Sequence, residues 1–246
     1  MTAQPSFDVP AAVRSAEERA RPYLLTTPAI PSIGLTPAIG SPVVLKCENL
    51  QHTGSFKARG AVSKVLSLSP EELERGVITA STGNHGAAVA YAGSIVGVAP
   101  VVVVPDNANP SKLAAIDRLG GRIEVQGSDS VESELGARRA ADERGMTFVS
   151  PYNDPAIIGG QGTLGLELLD QVDDLAAVFV AVGGGGLSSG VAGIIKSVSP
   201  STRVIGCSPA NSAVMYHSLK AGQILDLPSD PTLSDGTAGG VEPGAI

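Results

Sequence analysis

The 246-residue chain has no tryptophan, four tyrosines, four phenylalanines, three histidines and two cysteines. Cys47 and Cys207 are far apart in sequence and form no C-x-x-C pair, so neither a disulfide framework nor a zinc site is indicated and a reducing cytoplasm is expected. No apolar run approaches 18 residues, and the first twenty residues carry prolines and charges where a signal peptide would be apolar. We therefore predict neither a signal peptide nor a transmembrane helix.

Basic residues are also scarce. Seventeen lysines and arginines stand against 24 acidic residues, giving a net charge of −7 with no basic cluster. Nucleic-acid and membrane partners are therefore not expected, because binding either requires a surface that neutralises phosphate. With 43% hydrophobic and 17% charged residues, the chain should fold into one large domain or two modest ones. We predict a small-molecule ligand.

Short β-branched runs alternate with longer segments of helical spacing along most of the chain. Strands are predicted at 43–47, 77–80, 100–104, 122–126, 147–149, 176–182 and 203–207. Helices are predicted at 56–68, 84–97, 109–119, 129–144, 154–169, 187–197 and 211–221, with a short helix from Pro70 capped by Ser69. This alternation predicts an α/β fold with parallel sheets, in which ligands bind beyond the carboxyl ends of the strands.

Three details of this pattern carry their own expectations. The strand at 176–182 is almost wholly apolar, which predicts that both of its faces are covered. The helix at 154–169 is expected to open loosely, because Gly159, Gly160 and Gly162 lie in its first turns. Residues 225–246 are rich in proline and glycine and are predicted to form a loop.

The turn at 183–190 has four consecutive glycines between a buried strand and a helix. Backbone N–H groups there can converge on an anion at the positive end of the helix. The turn matches neither the dinucleotide fingerprint nor a P-loop, so a single phosphate is the better guest. The alternative is a close-packed turn that needs glycine for steric reasons alone.

The turn at 52–60 places Lys57 in the first turn of a helix, next to Phe56. Partial burial and the positive end of the helix both lower the pKa of a lysine there and favour the neutral amine that carbonyl chemistry requires. The alternative is an ordinary solvated lysine at a helix start.

The turn at 81–86 crowds Ser81, Thr82 and Asn84 at another strand-to-helix junction, where free backbone N–H groups can hold a carboxylate. The alternatives are an ordinary helix cap and, for His85, a buried structural histidine.

Taken in this order, the three turns resemble those of the fold type II, or tryptophan synthase β-like, pyridoxal-phosphate enzymes, in particular the serine/threonine dehydratase and serine racemase group. The resemblance extends over most of the chain. Its further tracts are 26–28, 45–51, 154–155, 160–163 and 235–236.

The resemblance implies an α/β architecture of two doubly wound open-sheet domains. Residues 1–75 and 152–246 would form the larger cofactor-binding domain, and residues 76–151 a smaller inserted domain. Because family members continue well past Asp235-Gly236, we expect the larger domain to be incomplete at its C-terminus in this chain. The group that faces the pyridine nitrogen would lie beyond Ile246.

The resemblance also implies pyridoxal 5'-phosphate as cofactor, bound to Lys57 as a Schiff base, with Phe56 packed beside it and Asn84 at the pyridine hydroxyl. The implied phosphate site consists of Gly183, Gly184, Gly185, Gly186 and Leu187, with Gly236 also near the cofactor. The implied substrate-carboxylate site consists of Ser81, Thr82, Gly83, Asn84 and His85. No metal ligand is expected, because Ser208, Ser212 and Val214 stand where some relatives present acidic residues to a divalent cation.

The implied function is that of a lyase, a threonine/serine dehydratase. Such an enzyme converts a β-hydroxy amino acid through an aminoacrylate to a 2-keto acid and ammonia, with Lys57 and Thr82 as catalytic residues. The closing residues also resemble a dehydratase branch of hydroxyectoine utilisation. Alternatives are a serine racemase or β-replacement enzyme, since Thr82 lies where racemases present an acid/base serine, and a non-catalytic cofactor-binding relative. A homodimer is expected.

Overall fold

The computed structural model describes residues 7–242, apart from the side chain of Ser130. Residues 243–246 of the predicted closing loop lie outside this range. The helices are α1 Val9–Ala20, α2 Leu35–Ile39, α3 Lys57–Val65, α4 Pro70–Arg75, α5 Asn84–Val96, α6 Pro110–Arg118, α7 Ser130–Arg144, α8 Pro155–Gln171, α9 Gly186–Val198 and α10 Val214–Ala221. The strands are β1 Ala29–Pro31, β2 Val44–Lys46, β3 Val77–Ala80, β4 Val101–Val104, β5 Arg122–Val125, β6 Thr147–Phe148, β7 Ala177–Ala181 and β8 Arg203–Cys207.

The chain divides into two compact units. The first unit comprises Ser15–Pro151, and the second comprises Met1–Arg14 with Tyr152–Ile246. The start of α1 therefore belongs to the second unit and its end to the first. The domain limits inferred from the resemblance stay a prediction.

The first unit is built on a four-stranded parallel sheet of order β5-β4-β3-β6. Strand β4 lies inside the sheet and all four of its valines are buried. Because side chains alternate across a strand, Val101 and Val103 pack with Ala137 and Ala141 of α7 on one face. Val102 and Val104 pack with Ala90 of α5 and Ile116 of α6 on the other face. Helices thus cover both faces, as the doubly wound prediction requires.

The second unit contains a two-stranded parallel sheet, β7-β8, and the closely packed helices α8 and α9. Val178 and Val180 of β7 are buried, but Phe179 between them is 71% exposed. The prediction that both faces of this strand are covered is therefore wrong for the described residues. Residues 225–242 form a loop with one 3-10 turn, Asp235–Thr237, as predicted.

Helix α8 begins sharply at Pro155, because the Asp154 carboxylate caps it by accepting hydrogen bonds from the N–H groups of Ala156 and Ile157. The expected loose opening is wrong, since the glycines in this helix serve packing. A Cβ on Gly162 would lie 2.9 Å from the Gly190 carbonyl oxygen, and a Cβ on Gly190 would lie 2.3 Å from the Ile158 carbonyl oxygen. Helices α8 and α9 therefore meet backbone to backbone.

Candidate active site

Lys57 is the first residue of α3, in the first unit, and is half-buried. Its Nζ donates a hydrogen bond to the Pro151 carbonyl oxygen at 2.6 Å and lies 5.3 Å from the centroid of the Phe56 ring. Burial lowers the pKa of Lys57 from 10.5 to about 8. A substantial fraction of this amine is therefore neutral at mildly alkaline pH, as the sequence predicted.

The turn that precedes Lys57 is held in place by Gln51. The side-chain amide of buried Gln51 bonds both the N–H and the carbonyl of Leu25, and the Gln51 carbonyl accepts from the N–H of Gly54 at 2.7 Å. Gly54 has a φ of +74°, a left-handed conformation that only glycine adopts without strain. This fixes the approach of the segment that precedes α3.

A buried ion pair also holds the start of α3. Arg59 is fully buried, and its Nε and Nη2 each lie 2.8 Å from a carboxylate oxygen of Glu48. The Thr27 hydroxyl donates to the same carboxylate at 2.6 Å. Since Arg59 lies two residues beyond Lys57, this bidentate pair restrains the first turn of the helix.

The turn at 81–86 joins β3 to α5 in the same unit. Its N–H of Gly83 donates to the Ser81 hydroxyl at 3.1 Å, and α5 begins at Asn84 with no side-chain cap among the described residues. The backbone is packed tightly here, because a Cβ on Gly86 would lie 2.5 Å from the Ser81 carbonyl oxygen. Asn84 is exposed and Thr82 is half-buried. The start of α5 thus offers N–H groups to an anion.

His85 is only 4% exposed, and its Nε2 lies 3.1 Å from the Val149 carbonyl oxygen. Burial, and next the charge of Lys57, lower the pKa of His85 to about 3. The imidazole is therefore neutral at physiological pH, and because a carbonyl only accepts, Nε2 must carry the proton. Because the Nε2–H group already donates to Val149, only Nδ1 is left for a contact with the substrate carboxylate. The role of His85 in carboxylate binding therefore stays a prediction.

Two buried hydroxyls near Lys57 in sequence have no hydrogen-bond partner in the described structure. They are Thr53 Oγ1 and Ser55 Oγ, and Ser55 is only 6% exposed. Buried polar groups are nearly always paired, so unpaired ones indicate a ligand or an ordered solvent molecule. Sequence reasoning missed both, because serine and threonine in a turn resemble ordinary caps.

The glycine tract lies in the second unit at the start of α9. Gly185 caps the helix with a φ of +91° and no side-chain hydrogen bond, and Leu187 is half-buried in its first turn. A Cβ on Gly184 would lie 2.4 Å from the Tyr152 ring, and a Cβ on Gly186 would lie 2.7 Å from the Tyr152 carbonyl oxygen. The steric alternative therefore holds, because the packing needs glycine at these positions, and the phosphate site at the uncapped N–H groups stays a prediction.

Two further segments border this tract. A Cβ on Gly183 would lie 3.2 Å from the Thr237 carbonyl oxygen, so the turn that contains exposed Gly236 packs against the start of the tract. Tyr152 was not among the predicted residues, because its contact partners lie more than thirty positions away and no local spacing signals them. Its hydroxyl also accepts from the N–H of Glu242 at 2.8 Å.

The residues at the expected position of a metal site have structural partners. The Ser208 hydroxyl donates to the Val182 carbonyl at 3.0 Å, and the Ser212 hydroxyl accepts from the N–H of Gly239 at 3.2 Å. Within residues 7–242, no group of three or more histidine, cysteine, aspartate or glutamate side chains could hold a metal ion. In the same range, no helix combines the length and apolarity needed to cross a membrane.

The described residues fit the parts of pyridoxal 5'-phosphate. The aldehyde needs an amine with a lowered pKa, which Lys57 supplies. The phosphate needs free N–H groups, and α9 begins without a side-chain cap, as the predicted phosphate site requires. The first unit holds Lys57, Phe56 and the turn at 81–86, and the second unit holds the glycine tract and Gly236.

Comparison with known proteins gives the same assignment. The chain is 39% identical to the L-threonine ammonia-lyase of Geobacter sulfurreducens over 226 residues, 92% of this chain and 56% of that protein. It is 40% identical to the serine racemase of Arabidopsis thaliana, covering 91% of this chain and 68% of that protein. The structure of maize serine racemase matches with a TM-score of 0.92 and 35% identity, over 96% of this chain and 72% of that one.

The chain therefore spans little more than half the length of the Geobacter enzyme. The names of these relatives do not mention hydroxyectoine, so that branch stays a prediction. The model of the family described as pyridoxal-phosphate dependent enzyme matches residues 21–246. The chain belongs to this family, its fold is the tryptophan synthase β-like α/β fold, and its cofactor is pyridoxal 5'-phosphate.

Proposed function

We propose that this protein is an ammonia-lyase that converts a β-hydroxy amino acid, threonine or serine, to a 2-keto acid and ammonia. The observation that carries the proposal is the buried Lys57 amine, whose pKa of about 8 lets it exchange a proton near neutral pH. The similarity to L-threonine ammonia-lyases supports the substrate class. In the overall reaction the substrate loses its α-proton and β-hydroxyl as water, and water then replaces the amino group.

Each residue of the candidate site has a proposed task. Lys57 would hold the cofactor covalently, and its amine would act as the general base that takes the α-proton of the substrate. The N–H groups at the start of α5, with Ser81 and Thr82, bind the substrate carboxylate, which the positive helix end favours. The amide of Asn84 hydrogen-bonds the ring hydroxyl of the cofactor, and the N–H groups of the glycine tract bind its phosphate.

Bound pyridoxal phosphate supplies an electron sink for the α-carbon. The chain contributes orientation and proton transfer around it. Burial lowers the pKa of Lys57 to about 8, so the uncharged amine is available as a base without a large penalty. The neutral state of His85 keeps a second positive charge away from this amine.

The test compares the purified protein with Lys57→Ala and, as a matched control on the same helix, Lys64→Ala. We expect a visible absorbance band of lysine-bound cofactor in the wild type and in Lys64→Ala, and its loss in Lys57→Ala. Keto acid and ammonia should form from L-threonine or L-serine. A wild-type protein without the band would overturn the proposal, and a band without turnover of any hydroxy amino acid would favour a non-catalytic relative.

Serine racemisation is the second candidate. The Thr82 hydroxyl, half-buried at the start of α5, is the observation that favours it, because it can serve as a second acid/base group. Similarity to plant serine racemases supports it as well. Formation of D-serine from L-serine without pyruvate, lost in Thr82→Ala, would establish racemisation over elimination.

We also propose that the protein is cytoplasmic and works as a homodimer. Cys47 and Cys207 are free thiols, which suits a reducing compartment. Large apolar side chains, including Ile33 and Phe179, are strongly exposed, which favours association with another chain. Sedimentation velocity tests the dimer, and a monomer at micromolar concentration with bound cofactor would contradict it.

A further inference from the structure

The three residues after β6, Val149, Ser150 and Pro151, carry two carbonyl oxygens with specific donors, all within the first unit. The Val149 oxygen accepts from His85 Nε2 at 3.1 Å and from the Thr79 hydroxyl at 2.8 Å. The Pro151 oxygen accepts from Lys57 Nζ at 2.6 Å. One short segment is therefore held by residues of β3 and α5 and in turn receives the amine of α3.

The Pro151 carbonyl lies two residues beyond Val149, where the pairing of β6 ends. The N–H of Val149 donates to the Ile78 carbonyl oxygen at 2.9 Å, and this bond extends the pairing of β6 with β3 by one residue. Proline has no N–H and cannot continue this pairing. The buried hydrogen bonds to the Val149 oxygen thus hold the strand end two residues before the carbonyl that receives Lys57.

A carbonyl is a suitable acceptor for this amine. It accepts one N–H and leaves the nitrogen lone pair available, whereas a carboxylate would stabilise the ammonium and raise the pKa of the lysine. The Pro151 oxygen therefore holds Nζ in its buried position without cancelling the effect of burial.

We propose that His85 is a positioning residue for Lys57. Its neutral imidazole, acting through the Val149 carbonyl, fixes the Pro151 carbonyl and so holds the Lys57 amine in its buried position. This role differs from the binding of a substrate carboxylate that the resemblance implies. It rests on the proposed function only in taking Lys57 as the reactive lysine.

Two amide variants of His85 distinguish the effect of its N–H donor from the effect of its ring packing. In His85→Gln the side-chain nitrogen lies as many bonds from Cα as Nε2 does, so a donor to Val149 remains. In His85→Asn the nitrogen takes the place of Nδ1 and is too short to reach. Both variants lose the ring and its packing, so they form a matched pair.

The readout is the pKa of Lys57, measured by NMR on the full chain, freed of cofactor and labelled with ¹³C-lysine. The sequence has six lysines, and Lys57→Met identifies the resonance of interest. We expect the Lys57 midpoint to stay near 8 in His85→Gln and to rise by about one pH unit or more in His85→Asn, because the released amine regains water. The resonance of Lys64, on the same helix, serves as the internal reference in each spectrum.

Equal Lys57 midpoints in the two variants would overturn the proposal. If both equal the wild-type value, His85 does not influence Lys57. If both rise equally, the packing of the imidazole ring is responsible, and the N–H donor is not. Should either variant fail to fold, the wild type decides with ¹⁵N-histidine, since the chain has three histidines. A neutral His85 protonated at Nε2 between pH 6 and 8 supports the proposal, and a cation or an Nδ1-protonated ring refutes it.

The two proposals can fail independently. The Lys57 midpoint needs no cofactor, so the Gln and Asn pattern can hold in a protein that has no lyase activity. Conversely, a wild type that binds pyridoxal phosphate and releases keto acid, with a Lys57 midpoint unmoved in His85→Asn, would leave the function standing and remove the role of His85.

Discussion

Removing the Glu48 carboxylate should destabilise the protein far more than removing a surface carboxylate. Glu48 is the bidentate partner of Arg59, which is fully buried, and its own side chain is only 12% exposed. In Glu48→Ala the guanidinium would lose two charge-assisted bonds of 2.8 Å, and the Thr27 hydroxyl, at 3.4 Å, is too distant to replace them. Removing the charged partner of a buried guanidinium costs about 3–5 kcal/mol.

The matched control is Glu134→Ala. Glu134 pairs with Arg138 one helical turn later at 2.8 Å, with both side chains about one-third exposed. Such pairs contribute about 0.3–0.5 kcal/mol. The two variants should therefore differ by about 3 kcal/mol in the free energy of unfolding, which corresponds to roughly 1.5 M in the urea midpoint for a slope of about 2 kcal/mol/M.

Urea unfolding followed by circular dichroism, at low and at high salt, measures both variants. Salt should erase the small cost of Glu134→Ala and leave the cost of Glu48→Ala, because buried charges are hardly screened. Replacing both partners by apolar residues, Arg59→Met with Glu48→Leu, should recover much of the loss. A cost below about 1 kcal/mol for Glu48→Ala, or a cost that disappears in salt, would refute the reasoning.

Three further predictions follow from the candidate site. Because the folded state lowers the pKa of Lys57 from 10.5 to about 8, the unfolded chain binds more protons than the folded one between these two pH values. Lys57→Met removes this cost and should stabilise the cofactor-free protein by on the order of 1–3 kcal/mol at pH 7. Urea titrations at increasing pH should show the gain shrink between about pH 8 and 10.5. Gly184→Ala should lower the free energy of unfolding by about 2–3 kcal/mol and weaken cofactor binding, because the new Cβ would lie 2.4 Å from the Tyr152 ring. Urea unfolding and absorbance titration measure the two effects. The control is Gly240→Ala, which has open space around it and should leave stability nearly unchanged. Lys57→Met should also raise the pKa of His85 above its value of about 3, since a positive charge nearby is one of the causes of the lowering; a ¹⁵N-histidine titration with no upward change would contradict this.

Local signals in the sequence predicted most of the elements that carry the site. The strand at Val77–Ala80 and the helix from Pro70 with Ser69 as cap are present as expected, because β-branched runs and capping residues act over a few positions. Strand β2 lies within the strand predicted at 43–47, but helix α1 and the partner strand β1 were not predicted. A run as short as β1, with Pro31 at its end, carries too little periodicity to be recognised from sequence.

Long-range contacts explain what the sequence could not predict about the site. The lowered pKa of Lys57 was expected from its helix start, but its acceptor at Pro151 lies 94 residues away. The acceptor of the His85 hydrogen bond, the Val149 carbonyl, is also distant in sequence, 64 residues away. The glycines of α8 suggested a loose helix because propensity counts only the helix itself, whereas the partner helix α9 decided the outcome.

The backbone contact between α8 and α9 bears on how the second unit would receive a phosphate. Where two helices touch through glycines, no side chain can change rotamer to let one slide along the other. The N–H groups at the start of α9 are thus held by the same contact that holds the helix. Their conformational entropy is lost when the protein folds and is not lost again on binding. A phosphate bound there, as we propose, would therefore meet a preorganised site, and ordering a loop would not reduce its affinity.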